Sequence, residues 1–248
     1  MVGILSDIGN YRNLNEDAVG YYKNNELGIY IVADGMGGHN AGEIASKIAV
    51  ESVIEYIKNK ACYDESNIIL ENAIKHANKL IYNRSKEDIS LSGMGTTITA
   101  CFVDKDTMMV GNVGDSRCYI IDKDNQIIKI TKDHSLVQQL IDDGSITEEE
   151  AEFHPNKNII TRALGTNSYV SVDTFRVDLK DVKKVILCTD GLTNDITPRQ
   201  ICDIIIKNNC SEASRLLIDL SKKNGGRDNI SVIVFEGECK DDRYFARE

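Results

Sequence analysis

The sequence predicts an α+β sandwich built mostly from antiparallel strands, and two observations support this fold class. Ten short β-rich runs occur along the chain, and tight polar turns, such as residues 104–106 and 122–125, join several of them into hairpins. Four helical segments lie in two pairs, one early and one late, instead of alternating with the strands. This grouping favours an α+β sandwich over a doubly wound parallel sheet.

The helices follow from apolar spacing and capping residues. Apolar side chains at i, i+3, i+4 and i+7 predict helices over residues 41–58 and 65–84. A capping box at residues 197–200, with proline at the first helical position, opens a third helix, and residues 211–223 form a fourth. The strands are predicted at residues 3–6, 18–22, 29–33, 96–103, 107–113, 118–121, 127–130, 170–177, 184–188 and 230–235.

Residues 133–162 interrupt the strand pattern. They contain two short helical pieces, at 136–141 and 147–152, followed by a polar loop. Long insertions of this kind are often functional. No linker rich in Ser, Gly or Pro divides the chain, so we expect one domain that spans residues 1–248 and carries this insertion.

Composition excludes several classes of function. The 39 acidic and 29 basic residues give a net charge of −10, which argues against nucleic acid as the partner. The apolar runs are far shorter than the ~18 residues of a membrane helix, and the N-terminus lacks the basic region of a secretory signal. Seven scattered cysteines without a Cys-x-x-Cys pair are typical of a reducing cytosol. We therefore expect a cytoplasmic protein with no membrane partner.

Four acidic residues stand at the ends of predicted strands. Asp34 and Asp190 each follow a buried strand and precede a glycine, Asp115 follows another strand, and Asp228 precedes the last one. Crowded carboxylates repel one another unless a cation holds them. Oxygen ligands without cysteine or histidine suit Mg²⁺ or Mn²⁺, and the carbonyl of Gly35 is open to such an ion. Two metals bridged by one carboxylate would activate a water for attack on phosphorus.

A phosphate at such a site also needs a positive partner. Arg12, in the segment that leads to Glu16 and Asp17, is the candidate. A guanidinium fork fits two phosphate oxygens.

Seven motifs follow one another along the chain. They are Arg12…Asn15-Glu16-Asp17, Ala33-Asp34-Gly35-Met36-Gly37-Gly38-His39, Gly93-Met94-Gly95-Thr96-Thr97, Gly111-Asn112-Val113-Gly114-Asp115-Ser116-Arg117, Thr161-Arg162-Ala163-Leu164-Gly165, Thr189-Asp190-Gly191-Leu192 and Asp228-Asn229-Ile230. Together they resemble the metal-dependent type 2C serine/threonine protein phosphatases, most closely the compact bacterial members. The resemblance covers essentially the whole chain. It implies a four-layer α-β-β-α sandwich, with a metal cluster at one end of the two central sheets.

By this resemblance, the acids at the strand ends are metal ligands. Asp34 is expected to bridge two metals, and Gly35 to lend its carbonyl to the first of them. Asp190 and Asp228 match the acids on the second metal, and Asp115 together with Asp190 matches a third site. The expected cofactors are therefore two Mn²⁺ or Mg²⁺ ions and a third ion, which binds more weakly because fewer carboxylates surround it.

The remaining site residues are also assigned by resemblance. Arg12 matches an arginine that grips the substrate phosphate. Glu16 and Asp17 match acids that hold the water molecules of the metals, and they are assigned to the catalytic set. Residues 133–162 correspond to a flap beside the site that shapes substrate choice, and are called the flap segment below.

The proton donor is the one departure from the family pattern. Many eukaryotic members carry histidine directly after the Asp-Gly pair, where this chain has Met36, which has no proton to donate. His39, three residues further on, is one candidate for this catalytic role, and a metal-bound water is the other. The other histidines, His76, His134 and His154, are expected to be ordinary surface residues.

The implied function is hydrolysis of phosphoserine and phosphothreonine on proteins by a metal-activated water. The expected partners are phosphorylated proteins, including a serine/threonine kinase and its targets, and we expect a monomer. Two alternatives stay open: a catalytically inactive module that binds a phosphoprotein, and a hydrolase of small phosphoesters. An inactive module is expected to have lost a bridging acid, whereas this chain carries an acid at every position that matches an acidic metal ligand of the family.

Overall fold

The structure is a computed structural model that describes residues 1–37, 41–60 and 66–239. Its strands in these ranges are β1 (Val2–Asp7), β2 (Asp17–Lys23), β3 (Leu27–Met36), β4 (Gly95–Thr96), β5 (Ile98–Asp104), β6 (Thr107–Val113), β7 (Arg117–Asp122), β8 (Ile127–Lys129), β9 (Asp173–Asp178), β10 (Val182–Cys188) and β11 (Ile230–Glu236). Its α-helices there are α1 (Gly42–Lys60), α2 (Ser66–Glu87), α3 (Leu136–Asp142), α4 (Glu148–Glu152), α5 (Asp190–Thr193), α6 (Pro198–Lys207) and α7 (Cys210–Asn224), and short 3₁₀ helices lie at Ile89–Leu91 and Leu179–Asp181.

The strands form two sheets. One has the order β1-β11-β10-β7-β8, and the other has the order β2-β3-β5-β6-β9, with the short β4 paired beside β3. Each pairing between the described strands is antiparallel. All ten predicted strands are present, and the run predicted at 96–103 is divided at Thr97 into β4 and β5.

Three apolar clusters hold the layers together. Helices α1 and α2 pack on the six-stranded sheet, for example through Ile74 against the cluster that contains Ile31. Helices α6 and α7 pack on the other sheet, where Leu217 and Ile186 share a cluster. A third cluster lies between the sheets. The arrangement is the expected four-layer α-β-β-α sandwich, so the predicted fold is confirmed.

Two aromatic rings stack between the sheets. Tyr30 on β3 and Phe235 on β11 are each 2% exposed, and their ring centroids are 3.8 Å apart with planes inclined by 8°. Around them lie apolar side chains of both inner faces, such as Val110 and Leu187. This layer sets the separation of the two sheets.

The helix predictions are confirmed, with small differences at the ends. At the start of α6, the Thr197 hydroxyl accepts from the N–H of Gln200, and the Gln200 side chain accepts from the N–H of Thr197. Helices α3 and α4 form within the flap segment, α4 with a capping box between Thr147 and Glu150. Helix α5 is not predicted, because four residues are too few to display a helical period. Among the helices described, none combines a bilayer-spanning length with sufficient apolar character.

Replacing Phe235 with Ala should lower the free energy of unfolding by about 3–5 kcal/mol, because the substitution leaves a cavity between the sheets. Urea-induced unfolding followed by circular dichroism measures the loss. Phe153→Ala is the matched control, since this ring is 86% exposed in the flap segment. It should change the free energy by less than about 0.5 kcal/mol. Equal effects of the two substitutions would contradict the role given to the inter-sheet layer.

Candidate functional site

Acidic side chains from both sheets meet at one end of the sandwich. Asp17 begins β2 and lies directly opposite Asp34 on β3. Asp115 follows β6, Asp190 begins α5 directly after β10, and Asp228 comes just before β11. The carboxylate of Asp34 is repelled by the other four. The structure therefore brings the predicted acids into one cluster.

Two threonines hold the cluster from behind. The Thr189 hydroxyl donates to Asp17 Oδ2 at 2.9 Å and accepts from the backbone N–H of Ser231 at 3.0 Å, which joins the two sheets. The Thr97 hydroxyl accepts from the N–H of Asp34 at 3.0 Å, and the N–H of Thr97 donates to the Asp34 carbonyl at 2.8 Å. Both contacts restrict the movement of an acid at a strand end.

Desolvation raises the pKa values of Asp17, Asp34, Asp115 and Asp190. Removal from water is the largest cause in each case, and it raises the pKa of Asp17 and of Asp115 to about 7. The pKa of Asp34 lies well above its usual range, because its carboxyl is desolvated and repelled by its neighbours. The pKa of Asp190 is raised by desolvation and then by the charge of Asp228. Such a cluster is unfavourable in its charged form unless a positive group lies among the acids.

Three of these carboxylates have an oxygen without a partner. In the part of the chain that the structure describes, Oδ1 of Asp17, Asp115 and Asp190 is buried and makes no hydrogen bond. Leaving a charged oxygen buried and unpaired is costly. The three residues come from different elements and offer only oxygen, the ligand type that Mg²⁺ and Mn²⁺ prefer. The residues present therefore fit a divalent cation.

Other oxygens of the cluster are engaged by neighbouring side chains. Asn194 Nδ2 donates to Asp190 Oδ2 at 3.0 Å, and Arg12 Nη2 donates to Asp228 Oδ2 at 2.8 Å. As the side chains stand, no three Asp, Glu, His or Cys residues of the described ranges form a ready ion site. Ion binding by these acids would compete with Arg12 and Asn194.

Gly35 lies where two backbone segments approach each other closely. Its N–H donates to the carbonyl of Glu16 at 3.1 Å. A Cβ atom at this position would lie 2.3 Å from the carbonyl oxygen of Gly42 and 2.4 Å from that of Glu16. Only glycine therefore allows the end of β3, which carries Asp34, to approach the segment before β2.

Glu16 faces a second glutamate that sequence reasoning missed. Desolvation, followed by repulsion from Glu43, raises the pKa of Glu16. Oε2 of Glu43 is buried and has no hydrogen-bond partner among the described residues. An acid in the first turn of a helix is common, so nothing local marks Glu43 as part of the site.

Arg12 lies beside the acids, on a loop that Asn229 closes. Asn229 Nδ2 donates to the carbonyls of Ile8 and Leu14, both at 3.0 Å, and its Oδ1 accepts from the N–H of Glu16 at 2.9 Å. One buried side chain thereby holds both ends of the loop. Sequence reasoning assigned no role to Asn229, because Ile8 and Leu14 are 221 and 215 positions away.

The predictions for the histidines have different outcomes. His39, the candidate proton donor, lies outside the described residues. His76 is exposed and His154 is half-buried, as expected for surface residues. The surface prediction for His134 is wrong: this residue is 7% exposed, and its Nδ1 accepts from the N–H of Gly114 at 3.0 Å. The polar sequence around it predicts a loop, but in the structure this loop packs against the turn after β6.

The chain is similar to one family over most of its length. Residues 11–215 match the family model for protein phosphatase 2C. The chain belongs to this family. The named relatives are serine/threonine protein phosphatases, and the protein is therefore a serine/threonine protein phosphatase. The family is metal-dependent. The family predicted from the seven motifs is confirmed.

Individual relatives resemble the phosphatase along nearly all of its chain. The serine/threonine phosphatase stp of Listeria welshimeri is 39% identical over 236 residues, which are 93% of each chain. The crystal structure of a bacterial serine phosphatase has a TM-score of 0.90 at 34% identity and covers 97% of this chain and 98% of its own. The catalytic domain of the phosphatase PstP in complex with two manganese ions has a TM-score of 0.80 at 32% identity, over 94% of this chain and 96% of its own.

Replacing Gly35 with Ala should abolish phosphatase activity and lower the free energy of unfolding by about 1–3 kcal/mol, because the added Cβ forces two backbone segments apart. Urea unfolding and phosphopeptide hydrolysis measure the two effects. Gly37→Ala is the matched control, since its Cβ would lie no closer than 3.4 Å to a neighbouring atom. This variant should keep its stability. A stable, active Gly35→Ala protein would show that the close approach is not needed.

Proposed function

We propose that this phosphatase works with two Mn²⁺ or Mg²⁺ ions held by Asp34, Asp190, Asp228 and the carbonyl of Gly35, with Asp34 shared between the ions. The observation that carries the proposal is the meeting of the strand-end acids at one end of the sandwich, where the desolvated carboxyl of Asp34 is repelled by its neighbours. Among the described residues, Oδ1 of Asp190 is also buried without a hydrogen-bond partner. When bound, such ions supply positive charge for the phosphoryl group and activate water for attack on phosphorus. The manganese ions in the PstP structure support the choice of ion.

The surrounding acids have supporting roles in this proposal. Asp17 and Glu16 order the water molecules at the site, because each places a desolvated carboxylate beside the ligand acids. Asp115, with Asp190, holds a third ion. Fewer carboxylates surround this third position, so it binds its ion more weakly.

Arg12 binds the phosphate of the substrate. Its guanidinium already reaches the acidic cluster, since Nη2 lies 2.8 Å from Asp228 Oδ2. The side chain is half exposed, with room to contact an incoming phosphate. Two parallel N–H donors match two phosphate oxygens.

The substrates in this proposal are phosphoserine and phosphothreonine proteins, among them a serine/threonine kinase of the same cell and the targets of that kinase. The names of the relatives support the residue type. A cytoplasmic location is supported by the cysteines, because the six that the structure describes are all free.

Dephosphorylation assays with Mn²⁺ separate this function from its alternatives. Phosphoserine and phosphothreonine peptides and an autophosphorylated kinase should be hydrolysed with a higher kcat/KM than nucleotides. Faster hydrolysis of nucleotides would favour a small-phosphoester hydrolase. Binding of the phosphopeptide without any turnover would favour the inactive module, although the complete set of acids argues against it.

Removing the metals, or one of their ligands, should abolish turnover. EDTA should stop phosphopeptide hydrolysis, Mn²⁺ should restore it, and Asp190→Asn should be inactive at all Mn²⁺ concentrations, because an amide carries no charge for the ion. The control is Asp219→Asn, which should keep full activity, because Asp219 is an exposed acid on α7 that pairs with Arg215. Full turnover in metal-free buffer would overturn the two-ion proposal.

Replacing Arg12 with Ala should raise the KM for a phosphopeptide by about 10- to 100-fold, which corresponds to the loss of one charge-assisted contact. The kcat should fall less, because the arginine grips the phosphate in the ground state and in the transition state alike. Steady-state kinetics measure both constants. Arg215→Ala, on the exposed face of α7, should change neither. A normal KM in the Arg12→Ala enzyme would remove Arg12 from the phosphate site.

A further inference from the structure

The turn that carries Asp115 is held at both ends by two consecutive residues of the flap segment. This turn spans residues 114–117 and is called the Asp115 turn. At its first residue, the N–H of His134 donates to the carbonyl of Gly114 at 2.9 Å, and the N–H of Gly114 donates to His134 Nδ1 at 3.0 Å. At its last residue, Nη2 and Nε of Arg117 donate to the Asp133 carboxylate at 2.6 and 2.9 Å.

The ring contact is the specific part of this arrangement. The carbonyl of Gly114 has a second donor, Nδ2 of Asn112 at 3.2 Å, so it does not depend on His134 alone. The N–H of Gly114, by contrast, donates to the imidazole. Without an acceptor there, this buried N–H would turn away or pull the turn out of place.

The turn has little freedom on its opposite side. Gly114 has φ +108°, and a Cβ at this position would lie 2.5 Å from the side chain of Thr97. The hydroxyls of Thr97 and Ser116 are 2.8 Å apart. The Asp115 turn is therefore wedged between Thr97 and the ring of His134.

His134 also belongs to the base of the flap segment. Its carbonyl accepts from the N–H of Thr161 at 2.8 Å, and the N–H of Leu136 donates to the carbonyl of Ile159 at 2.9 Å, so the two ends of the segment pair with each other. Ring Nε2 lies 3.1 Å from Asp173 Oδ2 at the start of β9. One side chain thus contacts the Asp115 turn, the flap base and an edge strand.

The protonation state agrees with this geometry. An imidazole accepts a hydrogen bond at Nδ1 only when that nitrogen carries no proton. Burial lowers the pKa of His134 from its ordinary value, which favours the neutral ring with its proton on Nε2. Nε2 lies near Asp173 Oδ2 but makes no well-aligned hydrogen bond with a described residue.

We propose that His134 is a positioning residue, which links the base of the flap segment to Gly114 and thereby sets the direction of the Asp115 carboxylate for its cation. The inference rests on the proposed ion at Asp115. That carboxylate is 7% exposed, and its Oδ1 has no hydrogen-bond partner among the described residues, so the backbone of the turn has to aim it. Groups that orient a ligand from behind commonly change metal affinity by about 10- to 100-fold.

Two substitutions of His134 separate its contacts. In His134→Asn, the side-chain oxygen takes the place of Nδ1 and still accepts from Gly114. In His134→Gln, the polar end takes the place of Nε2 and reaches only Asp173. Mn²⁺ titration by calorimetry of the full chain should show a tight and a weak phase in wild type. The Gln variant should weaken the weak phase by about 10-fold or more and leave the tight phase unchanged, whereas the Asn variant should keep both.

A weak phase of equal affinity in both variants, or lost equally in both, would overturn the role of His134. Wild-type protein without a weak phase would instead overturn the ion at Asp115. His154→Gln is the control, because its Nδ1 accepts within the flap segment, from the N–H of Asn156. A similar loss there would assign the effect to the flap as a whole and overturn the proposal.

Amide exchange in metal-free protein tests the contact itself. The N–H of Gly114 should be protected in wild type and in His134→Asn, and should exchange rapidly in His134→Gln. Rapid exchange in wild type would overturn the proposal regardless of the metal titration. Should His134→Gln not fold, Asp173→Asn removes the charge that faces Nε2 and weakens the ion pair with Arg162, but leaves the contact with Gly114 in place. It should leave the weak phase intact, and loss of that phase would overturn the proposal.

Discussion

The repulsion among crowded carboxylates, of which Asp17, Asp34, Asp115 and Asp190 are desolvated, is the constraint on which the rest of the site depends. Acids that lie free on a surface relieve such repulsion by turning into solvent, but here the backbone holds them together. The hydroxyl of Thr189 fixes Asp17 from the opposite sheet, and Thr97 is bonded to both the N–H and the carbonyl of Asp34. The raised pKa values are the consequence: without a cation, the acids reduce their repulsion by binding protons from solvent. A divalent cation relieves the same repulsion more completely, because it accepts oxygens from several acids at once.

The sandwich explains why the acids meet at all. In an antiparallel sheet, the end of one strand lies beside the beginning of its neighbour, so Asp17 and Asp34 come to face each other across one rung. The other sheet brings Asp190 and Asp228 together in the same way, after β10 and before β11. The two pairs reach one cluster because the sheets are stacked, and the stacking depends on the buried layer between them. The stability of that layer and the geometry of the site are therefore linked.

Much of this could be predicted from the sequence, because the relevant signals are local. Alternating and continuous apolar runs mark the strands, and an acid followed by glycine marks where Asp34 and Asp190 leave them. The residues that sequence reasoning missed are of a different kind. Asn229 acts on carbonyls more than two hundred positions away, and His134 acts on a turn twenty positions upstream. Asn229 stands in one of the seven motifs, but nothing in the sequence names the partners of its side chain, and His134 stands in none of them. Both contacts exist only once the chain is folded.

The acidic end of the molecule also consists of two parts with different support. Asp34, Asp17 and Asp190 are attached to the two sheets, whereas Asp115 lies on a turn whose contacts come from Thr97 on one side and the flap segment on the other. An ion that orders the Asp115 turn would therefore also stabilise the base of the flap segment. Linkage is reciprocal. If an ion at Asp115 strengthened the binding of a phosphoprotein that orders the flap segment, that phosphoprotein would strengthen ion binding at Asp115 by the same factor. An ion at Asp115, as proposed, would therefore respond to a substrate that contacts the flap segment, whereas ions held by acids on the sheets would not depend on that contact.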